Sequence, residues 1–110
     1  MRVIKFYRTE SGKCYIEDFL DSLTGKEGQK IIWVLKLIEE MTNVPRNYFK
    51  KLKSTDDLWE VRANGKEKTY RLLGFFDGKE LIVLNHAFTK KTQKTPKQEI
   101  EIAQKRKKII

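Results

Sequence analysis

The sequence predicts an α+β fold: an N-terminal strand, a helical hairpin, an antiparallel sheet of about four strands and a C-terminal helix. Three observations carry this. Asn64-Gly65 and Asp77-Gly78 separate runs rich in aromatic and branched apolar residues, which is the signature of successive β-hairpins. Ile16, Phe19, Leu20 and Leu23 recur at the spacing that places apolar side chains on one helix face. Thr24 with Glu27, and Thr95 with Gln98, have the spacing of helix-opening capping boxes.

Each element follows in order. Residues 3–7 alternate well enough for a first strand. The Ile16 stripe is the first helix. The second starts at Thr24 and carries Ile31, Ile32, Val34, Leu35 and Ile38. It frays near residues 41–43, and Pro45 confirms the stop. FKKLKSTDD, residues 49–57, reads as a basic loop turning acidic. LWEVR (58–62), TYRLLGFF (69–76) and ELIVLNHAF (80–88) read as three strands. Thr95 opens the last helix, with Pro96 at its first position, and the helix ends in KRKK. No repeat or linker interrupts residues 1–110, so one domain is expected.

The hairpins predict which residues share a face. A two-residue turn at Asp77-Gly78 pairs Phe76 with Lys79, and therefore Arg71 with Leu84 and Thr69 with His86. A tight Asn64-Gly65 turn puts Arg62, Thr69 and Arg71 on one side. Trp59, Val61, Tyr70, Leu72, Phe76, Leu81, Val83 and Ala87 then form a core face for the helical hairpin to cover. Trp33 is assigned to the core as well. The opposite face shows Glu60, Arg62, Thr69, Arg71, Leu84, His86 and Phe88. A three-residue turn would flip one strand and break the grouping, because side chains in a strand alternate with period two.

Composition bounds the function. The chain has 24 Lys+Arg against 15 Asp+Glu, a formal net charge of +9, which favours a polyanionic or acidic partner. At 39% hydrophobic it is too apolar for a disordered chain. The single Cys14 excludes an intrachain disulfide, and with only one histidine no structural zinc site is expected. A lone cysteine fits a reducing cytosol. MRVIKFYR lacks the apolar core of a signal peptide, and no stretch approaches the ~20 apolar residues that cross a bilayer, so a cytoplasmic protein without membrane contact is expected. The run HAFTKKTQKTP, residues 86–96, sets Lys90, Lys91 and Lys94 where a strand stops. They extend a basic surface built on Arg62, Arg71 and His86. Lys50, Lys51 and Lys53 join it from the preceding loop.

At these residues the chain resembles a known family. LWEVR, YRLLGFF and IVLNHAFTKKTQKTPKQEIEIA are similar to the phage-derived branch of the RelE/ParE superfamily of toxins, close to HigB-type toxins, over residues 51–103. The resemblance implies a RelE-like fold and the toxin of a type II toxin–antitoxin pair. Such toxins enter the ribosomal A site and cut mRNA without a metal or other cofactor. The RNA's own 2′-hydroxyl attacks the adjacent phosphate, and basic residues on the concave sheet face orient it. By position, Arg71 falls at the family's most telling arginine and Arg62 at the arginine ending the preceding strand. Lys90 and Lys91 lie where the family keeps a basic residue. The chain departs from RelE proper in having Glu60 where lysines stand, and no tyrosine matches the one near that protein's C-terminus. The implied partners are the ribosome, mRNA and a small antitoxin from an adjacent gene, a helix-turn-helix protein that also represses the promoter. A ParE-like gyrase poison without RNase activity is the alternative, and a non-catalytic nucleic-acid-binding protein is a third reading.

In-line attack by a 2′-hydroxyl needs a base, an acid for the leaving oxygen, and positive charge on the phosphate. Arg71 and Arg62 supply planar, permanent charge, or else pair with Glu60 or Asp57. Lys90 and Lys91 supply charge, or else only guard a sheet edge. His86 is a candidate base or acid, or a strand histidine packed under the last helix. Phe88 could stack on a base or belong to the core. Glu60 is a base or an ion-pair partner. Lys50, Lys51, Lys53 and Lys94 are contacts to the RNA backbone.

Overall fold

A computed structural model of the protein describes residues 2–90 and 95–109. The elements run β1 (Val3–Phe6), α1 (Tyr15–Asp21), α2 (Gly25–Glu40), β2 (Phe49–Lys51), β3 (Trp59–Asn64), β4 (Thr69–Asp77), β5 (Leu81–Lys90) and α3 (Lys97–Ile109). The strands form one sheet in the order β1-β5-β4-β3-β2. The fold is α+β, as the sequence predicts, but the sheet has five strands and is mixed. β1 lies parallel to β5, and every other pairing is antiparallel. The extra strand is β2, the stretch read as a basic loop. It spans three residues at the sheet edge, and its lysines hide the period-two pattern.

α2 begins as its capping box requires. The Thr24 side chain accepts from the Glu27 amide at 3.3 Å, and Glu27 Oε1 accepts from the Thr24 amide at 2.8 Å. Glu27 Oε2 accepts from the Tyr70 hydroxyl as well, which ties the helix start to β4. Those bonds hold the Glu27 carboxyl down at about 2, while burial and the same hydrogen bond push the Tyr70 phenol up to about 12. At its other end, Arg2 donates to the carbonyls of Ile38, Met41 and Thr42, satisfying acceptors that a helix C-terminus leaves open.

The main core fills the space between the sheet and the α1/α2 hairpin. Ile16, Ile31, Val34 and Ile38 from the helices meet Val61, Leu72, Ile82 and Leu84, all fully buried. Leu84 was expected on the other face, and Leu81 and Val83 on this one. The β4–β5 connection explains the difference. Asp77 pairs with Leu81 across a three-residue loop, not across two residues, so the upper part of β5 is flipped. A β-bulge between Leu73 and Gly74 leaves Asn85 as the extra residue and restores the phase. Below it Leu73 pairs with His86 and Arg71 with Phe88, instead of the predicted Arg71–Leu84 and Thr69–His86. The two errors cancel, so Arg62, Arg71, His86 and Phe88 share one face after all. The β3–β4 loop is also longer than the predicted turn, with Asn64 opposite Thr69, but by an even number of residues that preserves the grouping.

α3 crosses this second face and closes a smaller core of Leu52, Leu58, Leu73, Phe88 and Ala103, with Ile100 against it. The bulge is its dock. Asn85 Nδ2 donates to the Ala103 carbonyl at 3.1 Å, and the Asn85 carbonyl accepts from Arg106 at 2.9 Å. The Arg106 guanidinium also lies 3.4 Å over the ring of Tyr15, linking α3 to the start of α1.

Candidate functional site

Arg62 and Arg71 stand directly opposite one another on β3 and β4. Like charges so placed repel. Glu60, two residues before Arg62 and on the same face, offsets the repulsion. Its carboxylate is completely buried, with Oε1 3.0 Å from Arg62 Nε and 3.1 Å from Arg71 Nη1. Oε2 accepts from the hydroxyl of Thr95, just before α3. Lys50 pairs with Glu60 across β2–β3. Lys90, opposite Thr69 at the end of β5, completes the group. Burial lowers its pKa. Glu60 opposes that shift, and Arg62 and Lys50 add to it. Two arginines thus share one buried carboxylate, with Lys50 and Lys90 nearby.

Among the described residues, Lys90 Nζ and Arg71 Nε are buried donors without a hydrogen-bond partner. Leaving a buried donor unpaired costs about 1–3 kcal/mol, more for a charged group. Two such donors beside an excess of positive charge describe a place prepared for an anion.

The other predicted residues fall elsewhere. Arg71 is only 3% exposed and takes the Glu60 pairing that the sequence left open. His86 lies under α3. Its Nδ1 faces the Arg106 guanidinium at 3.0 Å and so acts as acceptor, which leaves the proton on Nε2, donated to Glu99 at 2.6 Å. Burial, and to a lesser degree Arg106, depress its pKa, while Glu99 works the other way. Both ring nitrogens therefore tie β5 to α3. Phe88 stacks on His86 at 5.6 Å within the small core, so of its two readings, base platform or core residue, the structure places it in the core. Lys51 is exposed and pairs with Asp57 at 2.9 Å, and Lys53 is exposed. Lys91 and Lys94 lie outside the described residues.

Sequence reasoning passed over several residues. Asn85, Glu99 and Arg106 organise α3 and the bulge, and no local pattern marks them; Thr95 was read as a helix cap, whereas its hydroxyl donates to Glu60. Trp33 and Trp59, both assigned to the core, are not sealed in it: Trp33 is 48% exposed and Trp59 half-buried. No helix among the described residues is long and apolar enough to cross a membrane, and no group of three or more His, Cys, Asp or Glu is placed to hold a metal ion.

No curated protein matches the chain. The profile of the family described as phage-derived protein Gp49-like (DUF891) matches residues 18–108, which include α2, all strands but β1, and the whole charged cluster. The chain belongs to the phage-derived Gp49-like protein family.

Proposed function

We propose that this protein is the toxin of a type II toxin–antitoxin pair, of the HigB-like RelE kind, and that it cuts mRNA at the ribosome with the RNA's own 2′-hydroxyl as nucleophile. The observation that carries the reading is the cationic cluster: Arg62 and Arg71 face to face, Lys90 buried beside them, and, among the described residues, no hydrogen-bond partner for Arg71 Nε or Lys90 Nζ. In this mechanism the 2′-hydroxyl gives its proton to solvent water as its oxygen attacks the neighbouring phosphorus in line, and the bond to the 5′-oxygen breaks. Arg71, Arg62 and Lys90 meet the charge that grows on the phosphoryl oxygens. The Lys90 ammonium, acidified by burial, gives its proton to the leaving 5′-oxygen. Glu60 and Thr95 hold the arginines in plane.

The test is expression in cells followed by mapping of ribosome-bound mRNA ends. The expected ends are a 2′,3′-cyclic phosphate and a 5′-hydroxyl, formed also in chelator once ribosome integrity is controlled. A substrate with a 2′-deoxy at the cut position should bind and stay intact. Losing one preorganised donor costs on the order of 10²–10³ in rate, so Arg71→Ala should lose cleavage by about that factor while remaining folded. Normal cutting of the deoxy substrate, or gyrase-dependent DNA breaks in place of mRNA ends, would overturn the reading. A +9 surface is masked best by an acidic, wrapping partner. The proposal therefore includes an antitoxin from an adjacent gene, whose co-expression restores growth.

A further inference from the structure

A groove of about 430 Å³ opens at the β2 edge of the sheet, on the face opposite the Glu60 cluster. Its floor is aromatic. Phe49 stacks on Trp59 with centroids 4.8 Å apart, and Phe76 meets both rings edge-on, 6.0 Å from Phe49 and 5.3 Å from Trp59. Phe49 is buried, whereas Trp59 and Phe76 keep exposed surface that faces the groove. Its rim is cationic: Arg46 and Lys51 line it, together with Arg2, whose guanidinium is bound to the end of α2. Among the described residues no aspartate or glutamate lines it. The exposed Asp57, paired with Lys51, is screened by solvent.

β2 connects this groove to the cluster. Successive residues of a strand point to opposite faces. Lys50 pairs with Glu60 and adds to the field at Lys90, whereas Lys51 pairs with Trp59 and turns to the groove. The strand is three residues long and lies at the sheet edge. A polyanionic backbone that leaves the cluster round that edge meets Lys50 and then Lys51.

We propose that the groove is a second subsite for single-stranded RNA, in which a base flanking the cut stacks on Trp59 and Phe76 while Arg46 and Lys51 hold the backbone. Aromatic faces with a cationic rim and no acidic lining suit a nucleobase joined to phosphates, and stacking tolerates any base. The inference rests on the RNA reading above and adds a site to it.

Trp59 reports on its own occupancy. In a Trp33→Phe background it is the only tryptophan. A labelled 2′-O-methyl RNA hexamer, which resists cleavage, is titrated while Trp59 emission and label anisotropy are read together. The expected result is saturable quenching of Trp59 in step with the anisotropy. Arg46→Glu, at an exposed position, should weaken binding several-fold. Trp59→Leu, read by anisotropy, should weaken it roughly five- to a hundredfold, the range of one stacked base. Phe76→Leu serves in its place if Trp59→Leu fails to fold. A rise in anisotropy with Trp59 emission unmoved would overturn the groove and leave the cleavage reading standing. So would a hexaglutamate peptide that displaces the RNA at equal concentration, since that marks a surface blind to bases. Absence of any binding overturns the subsite too, and mapping of mRNA ends in cells then judges the cleavage reading by itself.

Discussion

Glu60 has no exposed surface, yet it is what allows Arg62 and Arg71 to face each other across two strands. A buried pair is costly to break because the surviving charge stays in the interior. Glu60→Ala should therefore lose about 3–5 kcal/mol in urea unfolding. Glu60→Gln keeps the volume but not the charge, and should fall between that variant and the parent. An unchanged midpoint in both would mean that the arginines are solvated and not held by Glu60. His86 makes a separate prediction through pH. Its pKa in the fold lies below the ordinary 6.5, so the unfolded chain binds the proton more readily. The stability that depends on neutral His86 is complete above pH 6.5 and is lost as pH falls below it towards the folded value. The groups facing the ring are Glu99 and Arg106, both on α3. Urea unfolding at pH 7.5 and 5.5 should show this loss in the parent and a flatter response in His86→Gln. Both points lie above the range in which ordinary carboxylates titrate.

Among the elements, the bulge between β4 and β5 has the widest consequences. It restores the alternation that the three-residue loop upsets, and it offers Asn85 to α3. Gly74 makes it possible. A Cβ there would stand 2.1 Å from the Val83 carbonyl and 2.9 Å from the Leu84 Cα, both main-chain atoms that cannot swing away. Gly74→Ala should cost about 3 kcal/mol or more, the upper end for overpacking. Because the phase of β5 sets His86, Phe88 and Lys90, cleavage should fall with it. A variant as stable as the parent would show that the strands can part there. At the start of α2, Thr24→Ala removes one half of the capping box and should cost about 1 kcal/mol. Thermal unfolding would register it as a small downward shift.

For the whole molecule, the organising fact is the division of the sheet's two faces. One is covered by α1 and α2 except at the groove by the β2 edge. The other is shared between α3 and the charged cluster, with cations leading round the β2 edge. A +9 chain binds anions partly by releasing counterions. For three or four neutralised phosphates on a single strand, the logarithm of affinity should fall against the logarithm of salt with a slope of roughly −2 to −3. Anisotropy titrations from low to physiological salt would measure it. A flat plot would show that phosphate contacts do not carry binding.

The local patterns alone determined the α+β class, both helices of the hairpin, the start of α2 and the three central strands. Each is set by residues close in the chain: a capping box, an apolar stripe, an Asx-Gly pair. The convergence of Arg62, Arg71 and His86 on one face was legible as well, although two miscounts had to cancel for it to come out right. What the sequence could not supply depends on contacts between distant segments. β2 becomes a strand only because β3 lies beside it, and β1 joins the sheet through β5, some 78 residues further on, as Val3 and Leu81 show. α3 settles on the face that looked open because the bulge presents Asn85 there. For the same reason His86 and Phe88, each read either as a working group or as a packed one, lie beneath a helix. In the sequence Glu60 reads as a base or an ion-pair partner, and the fold places Arg62, Arg71 and Thr95 around it. Only then does the excess of positive charge around it become visible, with Arg71 Nε and Lys90 Nζ left without a hydrogen-bond partner among the described residues.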